Sequence, residues 1–373
     1  ALEAERPSVS ENVISAFRFA MLARHVIKNP HVFCSTFKVG RLKDSGTCRA
    51  THNAAPVAPP ATDEEIASLV AAFQESRRLV VLTGAGCSTE SGVPDYRSPQ
   101  GAYSTGFKPM THQQFLKSPT NRARYWARSF YGWPRFSATQ PNSAHFALAE
   151  LEQRGWVDGI LTQNVDRLHT RAGSREVLEL HGTSHEVICL ECGRRSPRQA
   201  LQDALAALNP VVAAHVGELT SRPPDLLAER LQALRVGTSQ DDMRVAGLQQ
   251  RPDGDVELVN AGQGFLVAPC KDCGGLLKPD VVFFGDNIPQ ERKDRAAAMV
   301  ASSDTLVVVG SSVMVYSAYR LVEIAKASGA RLLIVNVGPT RADRLADVKI
   351  EARAGEVLSR LARCPNLQLP KLL

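Results

Sequence analysis

Four of the eight cysteines fall into two CxxC pairs, Cys189/Cys192 and Cys270/Cys273. Four thiolates suit a closed tetrahedral zinc site, which stabilises a fold and leaves no open catalytic position. Gly274 and Gly275 follow the second pair and supply the tight turn of a zinc knuckle. The gap between Cys192 and Cys270 far exceeds the spacing of compact zinc ribbons, so an insertion is expected between the pairs. A redox dithiol is the rival reading of each pair. Cys34, Cys48, Cys87 and Cys364 stand alone. Eight cysteines in 373 residues are too few for a disulfide scaffold, and the pattern suits a reducing compartment and a bound metal.

A second set of polar residues sits where short apolar runs end. Gly84-Ala85-Gly86 follows Leu79–Thr83 and permits a tight turn and close approach to a phosphate. Thr89 occupies the place of the third glycine of a dinucleotide fingerprint, so this loop alone also fits a plain strand-to-helix turn. Ser91 to Arg97 adds a carboxylate, Asp95, and a guanidinium, Arg97, able to pair with a phosphate or to form a surface salt bridge. Gln163, Asn164 and Asp166 follow Gly159–Thr162, with donors and acceptors for a ribose or carboxamide; Asp166 also fits a helix cap. His181 lies between a short apolar stretch and Gly182; taken singly, such a histidine is more often structural than catalytic, as are His169 and His185. Gly310-Ser311-Ser312 and Asn336-Val337-Gly338 close two further apolar runs. Four such turns after four apolar strands point to a nucleotide cradle, since doubly wound folds bind ligands outside the carboxyl ends of their strands.

The elements that must position these residues alternate. Strand-like runs at Leu79–Thr83, Gly159–Thr162, Val281–Phe284, Leu306–Val309 and Leu332–Val335 are separated by helical patterns such as Asp63 to Phe73, Lys293 to Ser302 and Tyr316 to Ser328. Continuous apolar strands between helices predict an α/β fold: a Rossmann-like, doubly wound parallel sheet covered on both faces. The segment around Cys189 to Cys273 interrupts the alternation and reads as a smaller inserted zinc-binding domain; its middle carries a helical pattern at Pro224 to Leu234. The expected division is residues 61–183 with 277–365 as the nucleotide domain, 184–276 as the zinc module, and 366–373 as a tail.

Residues 1–60 differ from the rest. Asn12 to Lys43 contains no acidic residue, carries Arg18, Arg24, Lys28, Lys38, Arg41 and Lys43, and has a short apolar stripe of Ile14, Phe17 and Met21. This reads as a transit-like leader, or as a surface arm without an address, joined through a proline-containing linker from Ala54 to Ala61. No apolar run approaches the roughly 20 residues needed to span a bilayer. Hydrophobic residues make up 44% and charged residues 22%, as in a globular protein with a large core. The net charge of +6 is not gathered into one basic block, so no specific nucleic-acid partner is expected.

The ordered series GAGCSTESGVPDYR (Gly84 to Arg97), TQNVDRLH (Thr162 to His169), ELHG (Glu179 to Gly182), two CxxC pairs, VVFFGD (Val281 to Asp286), GSS (Gly310 to Ser312) and NVG (Asn336 to Gly338) resembles the sirtuin family. The likeness runs from about Ile66 to Ala362. PDYRS, RYWAR, GWPRF, QPNSAHFAL, LKPDVVFFGD and GPTRAD are similar to the class II, mitochondrial sirtuin-four type. The resemblance implies an NAD-dependent protein-lysine deacylase that consumes NAD and holds one structural zinc through Cys189, Cys192, Cys270 and Cys273.

By the same resemblance, Gly84, Ala85, Gly86 and Ser88 would cradle the pyrophosphate, with Tyr96 and Arg97 closing over the cofactor. Asp95 and Asp166 would serve the nicotinamide end, and Gln163, Asn164 and Val165 the adjoining ribose. Gly310, Ser311, Ser312, Asn336, Val337, Gly338 and Ala354 would line the adenosine half. His181, with Asn164 and Asp166, would carry the catalysis. The implied path has the acyl oxygen attack the anomeric carbon as nicotinamide leaves. His181 then takes a proton from a ribose hydroxyl, which attacks the alkylimidate, and water releases lysine and an acylated ADP-ribose. Val281 to Gly285 would form the edge on which an acyl-lysine peptide is laid. Tyr125 and Arg128 resemble a pair by which some sirtuins read acidic acyl groups, and Cys87 stands where the family often has a small aliphatic residue. Protein mono-ADP-ribosyl transfer and a non-catalytic NAD-sensing module are the competing readings. The expected location is the mitochondrial matrix, with a plastid as the alternative.

Overall fold

The computed structural model describes residues 56–99, 101–104, 106, 108–220, 250–256, 258, 261–369 and 371. The leader stripe and the helical pattern at Pro224 to Leu234 lie outside the described residues. Strand β1 (Leu79–Thr83) is buried at all five positions, and the burial is two-sided. Leu79 and Val81 enter one apolar cluster, and Val80 and Leu82 another. The same alternation divides β7 (Thr305–Val309) and β8 (Arg331–Val335), so each strand has a core on both faces. With β2 (Gly159–Thr162), β3 (Val177–Glu179) and β9 (Val348–Ile350), these strands form one sheet in the order β3-β2-β1-β7-β8-β9. Every pairing in it is parallel. This is the doubly wound order, and it reverses between β1 and β7.

Helices cover both faces. Asp63–Glu75 starts at a capping box, in which Thr62 Oγ1 accepts from Glu65 N and the Glu65 carboxylate accepts from Thr62 N. Its Leu69 and Phe73 join Leu148 and Leu151 of Ser143–Gln153 and Val357, Leu358 and Leu361 of Ala354–Arg363 on one face. On the other, Ala296 and Val300 of Gln290–Ala301 pack with Leu321 and Val322 of Tyr316–Ala327.

A smaller antiparallel sheet, in the order β5-β4-β6, is built from β4 (Gly182–Cys189), β5 (Arg195–Pro197) and β6 (Leu277–Val281). It packs on the helices Pro119–Ala138, Arg198–Leu208 and Pro210–Thr220 through a third cluster that includes Trp126, Phe130, Val187 and Leu205. Buried Arg198 lies 5.2 Å from the Trp126 ring and 5.0 Å from the Trp133 ring. Burial lowers its pKa to about 10, and the ring faces replace part of its lost hydration.

Two expectations change here. The run Val281–Phe284 is not a strand of the parallel sheet: only Val281 belongs to a strand, β6, which pairs with β4. A four-residue apolar run carries no periodicity that says which sheet will take it. Within the inserted segment, where the sequence pattern marks a helix only at Pro224 to Leu234, the chain forms the helices Arg198–Leu208 and Pro210–Thr220.

Gly182 makes the junction between the two sheets. Its φ is +82°, and a Cβ there would stand 1.9 Å from the Asp280 carbonyl oxygen. Gly182→Ala is therefore expected to destabilise the fold by about 3 kcal/mol or more, read from equilibrium unfolding of the zinc-loaded protein. Wild-type stability in that variant would show that β4 and β6 can separate at no cost.

Candidate active site

The chain leaves β1 at Gly84 and enters a short helical segment, Ala85–Ser91, while β7 ends at Val309 and is followed by Gly310. Gly84 N donates to Val309 O at 3.1 Å and Gly86 N to Gly310 O at 2.8 Å. Contact this close requires missing side chains. A Cβ on Gly84 would lie 2.7 Å from Ser311 Cβ, and one on Gly86 would lie 2.9 Å from Gly310 O.

A cavity of about 1190 Å³ opens at this point, outside the carboxyl ends of the parallel strands. Of the residues singled out for cofactor contact, Ala85, Gly86, Ser88, Asp95, Tyr96, Arg97, Gln163, Asn164, Val165 and Asp166 line it. So do Gly310, Ser311, Ser312, Asn336, Val337, Gly338 and Ala354, together with His181. Gly84 does not line the wall; it is the point where β1 meets Ser311. The arrangement thus offers a glycine-lined approach for a dinucleotide at the sheet's switch point.

The polar groups of this wall hold one another. Asn164 Nδ2 donates to Gly84 O and to Ser88 Oγ, both at 3.0 Å, and Ser88 Oγ donates to Asp166 Oδ2 at 2.7 Å. Gln163 Nε2 donates to Ser311 Oγ at 2.8 Å, tying the turn after β2 to the turn after β7. Burial raises the pKa of Asp166, against the hydrogen bonds from Leu168 N and Ser88 that stabilise its charge. Asp166 Oδ1 accepts from Leu168 N at 3.0 Å, so the carboxylate also steadies the start of Leu168–Arg171. Asp95 Oδ1 accepts from Arg97 N and Ser98 N, organising its own loop, and exposed Arg97 lies 5.3 Å from the Tyr103 ring.

His181 stands where β3 gives way to β4. Leu180 N donates to Thr162 O and Val282 N donates to His181 O, each at 2.8 Å, fixing the backbone on both sides. The Nδ1 atom lies 3.2 Å from the Gln163 carbonyl, which can only accept, so Nδ1 carries the hydrogen. Nε2 is then the lone pair, and the Ser317 hydroxyl at 3.1 Å donates to it. Burial lowers the His181 pKa to about 4; the Gln163 carbonyl opposes the shift and Arg292 adds to it. The ring is neutral near pH 7, with its basic nitrogen on the cavity side.

The cavity also contains residues that the sequence did not point to. Ser317 meets His181, and Pro252 and Asp253, from the segment between the cysteine pairs, also line the cavity, Asp253 near Tyr96 and Tyr103. Tyr125 and Arg128 are not among the lining residues. Arg128 Nε and Nη2 both bond Asp255 Oδ2, at 2.9 and 2.8 Å, so the guanidinium is matched by a carboxylate of that same segment.

At the far end of β4, one sulfur from each of Cys189, Cys192, Cys270 and Cys273 falls within 4.8 Å of the other three. Cys189 Sγ to Cys273 Sγ is 3.4 Å and Cys192 Sγ to Cys270 Sγ is 3.9 Å. A tetrahedron with zinc–sulfur bonds of about 2.3 Å has edges of about 3.8 Å, so the four donors fit a zinc ion. Tight turns shape both knuckles: Gly193 N donates to Cys189 O at 3.0 Å and Gly274 N to Cys270 O at 2.9 Å. The purified chain is expected to carry one zinc by elemental analysis, and Cys270→Ser to lose it together with several kcal/mol of stability. Full stability without zinc would make the cluster a set of thiols only.

A family model described as the Sir2 family matches residues 84–317. The chain is 49% identical over 319 residues to the NAD-dependent protein deacylase SRT2 of Arabidopsis thaliana, covering 85% of this chain and 81% of that protein. It is 41% identical over 341 residues to the NAD-dependent protein lipoamidase sirtuin-4, mitochondrial, of Homo sapiens, covering 91% and 95%. A solved structure of Sir2Tm bound to a propionylated peptide is 29% identical, with a TM-score of 0.55 over 80% of this chain and 97% of that one. A structure described as addressing the mechanism and regulation of Sir2 enzymes gives 30% and 0.58, over 82% and 99%. With the doubly wound sheet, the four-cysteine cluster and the lined cavity, these matches place the chain in the Sir2 family.

Proposed function

We propose that this chain is an NAD-dependent protein-lysine deacylase, moving the acyl group of an acyl-lysine onto the ADP-ribose part of NAD. The observation that carries the reading is His181: a neutral imidazole, its tautomer fixed by the Gln163 carbonyl, with its Nε2 lone pair beside a dinucleotide-sized cavity at the switch point. Bound NAD supplies an electrophilic anomeric carbon and is consumed in each turnover. Gly86 and Ala85 would hold its phosphates, and Ser311, Asn336, Val337, Gly338 and Ala354 its adenosine half. Asn164 and Asp166, already cross-braced through Ser88, would orient the nicotinamide and its ribose. His181 Nε2 would take the ribose hydroxyl proton, once that hydroxyl replaces Ser317 as its hydrogen-bond donor. Domain boundaries at 61–183 with 277–365, around 184–276, would accompany this division of labour, with β6 pairing to β4 across it.

The acyl-lysine segment would lie along Val281 to Gly285. Those residues line the cavity, and the exposed Phe284 offers an apolar contact. The lipoamidase names of the bovine and human relatives support a long acyl chain. Apolar wall residues such as Val281, Phe283 and Ile288 suit one. No helix among the described residues is long and apolar enough to cross a membrane. A mitochondrial address, with a plastid as the alternative, is supported by the names of those relatives and by the acid-poor, basic composition of residues 12–43.

Nicotinamide release is expected to require both NAD and one class of acyl-lysine peptide, and His181→Ala to lower it about a hundredfold or more. Peptide-independent release, or full activity in the variant, would overturn the assignment. Because burial holds the His181 proton affinity down, kcat/KM is expected to stay level as pH falls from about 7.5 to about 6. A half-loss near pH 6.5, where an ordinary imidazole protonates, would place His181 in water in the free enzyme.

A further inference from the structure

Behind the first nucleotide loop, three side chains of ligand type meet in the protein core. Cys87, His145 and His169 are each at most 1% exposed, and one ligand atom from each lies within 4.8 Å of the other two. They come from three separate segments: Ala85–Ser91, the first turn of Ser143–Gln153, and Leu168–Arg171. The imidazole centroids are 4.7 Å apart. Nothing in the proposed deacylation uses any of the three.

The hydrogen bonds around the rings occupy one nitrogen of each and leave the other unpaired. His169 Nε2 lies 2.9 Å from Thr83 Oγ1, and that hydroxyl gives its own hydrogen to Thr162 Oγ1. Thr83 must therefore accept, so His169 carries its hydrogen on Nε2 and keeps a lone pair on Nδ1. His145 Nδ1 accepts from Asn142 N at 3.2 Å and also lies 3.0 Å from Asn142 Oδ1, to which it would donate once an ion takes the lone pair of Nε2. His145 Nε2 and His169 Nδ1 have no hydrogen-bond partner among the described residues. Each imidazole thus has an outer partner on one nitrogen and an unused, buried nitrogen on the other, as in histidine–metal sites with their supporting shell. An unsatisfied nitrogen in a core is costly, and here two occur beside a thiol.

We infer that Cys87, His145 and His169 form a second metal site, three-coordinate and suited to a cuprous ion. A thiolate and two imidazoles are soft and borderline ligands, which favour a d10 ion. The charge also fits. Cuprous ion and thiolate sum to zero, whereas zinc would leave a net positive charge and require a fourth donor. The hydroxyl of Thr83 is already committed to Thr162. Burial, and then the carboxylates of Asp166 and Glu90, push the Cys87 thiol well above its usual range. The field that resists a bare thiolate there welcomes a cation. On loading, the Cys87 S–H bond breaks, a sulfur–copper bond forms and one proton leaves to solvent. No electron is transferred.

Occupancy would reach the cavity through one residue. Asn142 Nδ2 donates to Cys87 O at 2.8 Å, and Ser88, the next residue, holds Asp166. An ion on Cys87 Sγ pins this loop from behind, so loading is expected to slow turnover. That coupling rests on reading the cavity as an NAD site; the metal site itself does not.

The test uses the zinc-loaded full chain, kept anaerobic and titrated with Cu(I) buffered by bicinchoninate. After desalting, wild type is expected to hold one copper while keeping its zinc, with sulfur and nitrogen scatterers at the copper X-ray absorption edge. Cys87→Ser and Cys87→Ala are expected to keep zinc and to bind copper about a hundredfold more weakly. Cys87→Ser, which preserves volume, serves if the smaller side chain impairs folding. Copper bound equally well by both variants, or taken up only by displacing zinc, would overturn the site. Nicotinamide release should fall about tenfold in copper-loaded wild type and not in Cys87→Ser. Unchanged turnover in the loaded wild type, with copper bound, would overturn the coupling alone.

Discussion

The hydrogen bond from Gly86 N to Gly310 O is the constraint on which the site depends. It brings together the turns after β1 and β7, the two strands on either side of the reversal in sheet order. A side chain on any of Gly84, Gly86 or Gly310 would part them, since each added Cβ would approach a heavy atom within 3 Å. Once they touch, Ser311 lies within reach of Gln163, and Asn164 within reach of Gly84 O and Ser88. The polar wall is then a single braced unit rather than a row of independent side chains. Preorganisation of this kind lowers the ordering cost of taking up a ligand.

Electrostatics follows from the same closeness. Groups packed this tightly are desolvated, and the consequences differ by type. His181, His169 and His185 are each lowered to about 4 by burial, whereas Asp166, Asp253 and Asp255 are raised. For the histidines, the unfolded chain binds more protons than the folded one between about pH 6.5 and about 4. Their contribution to stability is therefore present above the ordinary imidazole range and is lost as the pH falls through the folded value. One act of burial thus keeps a basic nitrogen unprotonated and makes the fold sensitive to acid.

Much of the architecture was legible in the sequence where strands are continuous and apolar. Leu79–Thr83 and Gly159–Thr162 appear at the expected bounds because a buried parallel strand has no solvent face to blur its ends. The strands β3 and β9 were not legible: three residues each give no pattern to detect. Val281–Phe284 carries the right composition for the parallel sheet, yet Val281 ends a strand that pairs with β4. Positions following the apolar strands could be read as cavity-lining from their place alone. Ser317, Pro252 and Asp253 could not, because they arrive through the packing of a helix start and of an insertion, and neither carries a local signature.

The backbone bond from Val282 N to His181 O has a mechanical consequence. It fastens the imidazole-bearing residue to the strand-like edge that follows β6, across the junction between the large and small sheets. The base and that edge therefore keep a fixed separation. Leu180 N donates to Thr162 O and His181 Nδ1 to the Gln163 carbonyl, so the same residue is moored to the large sheet as well. His181 is thus a rivet through both sheets, and its distances from the substrate edge and from the turn after β2 are set by the same few bonds.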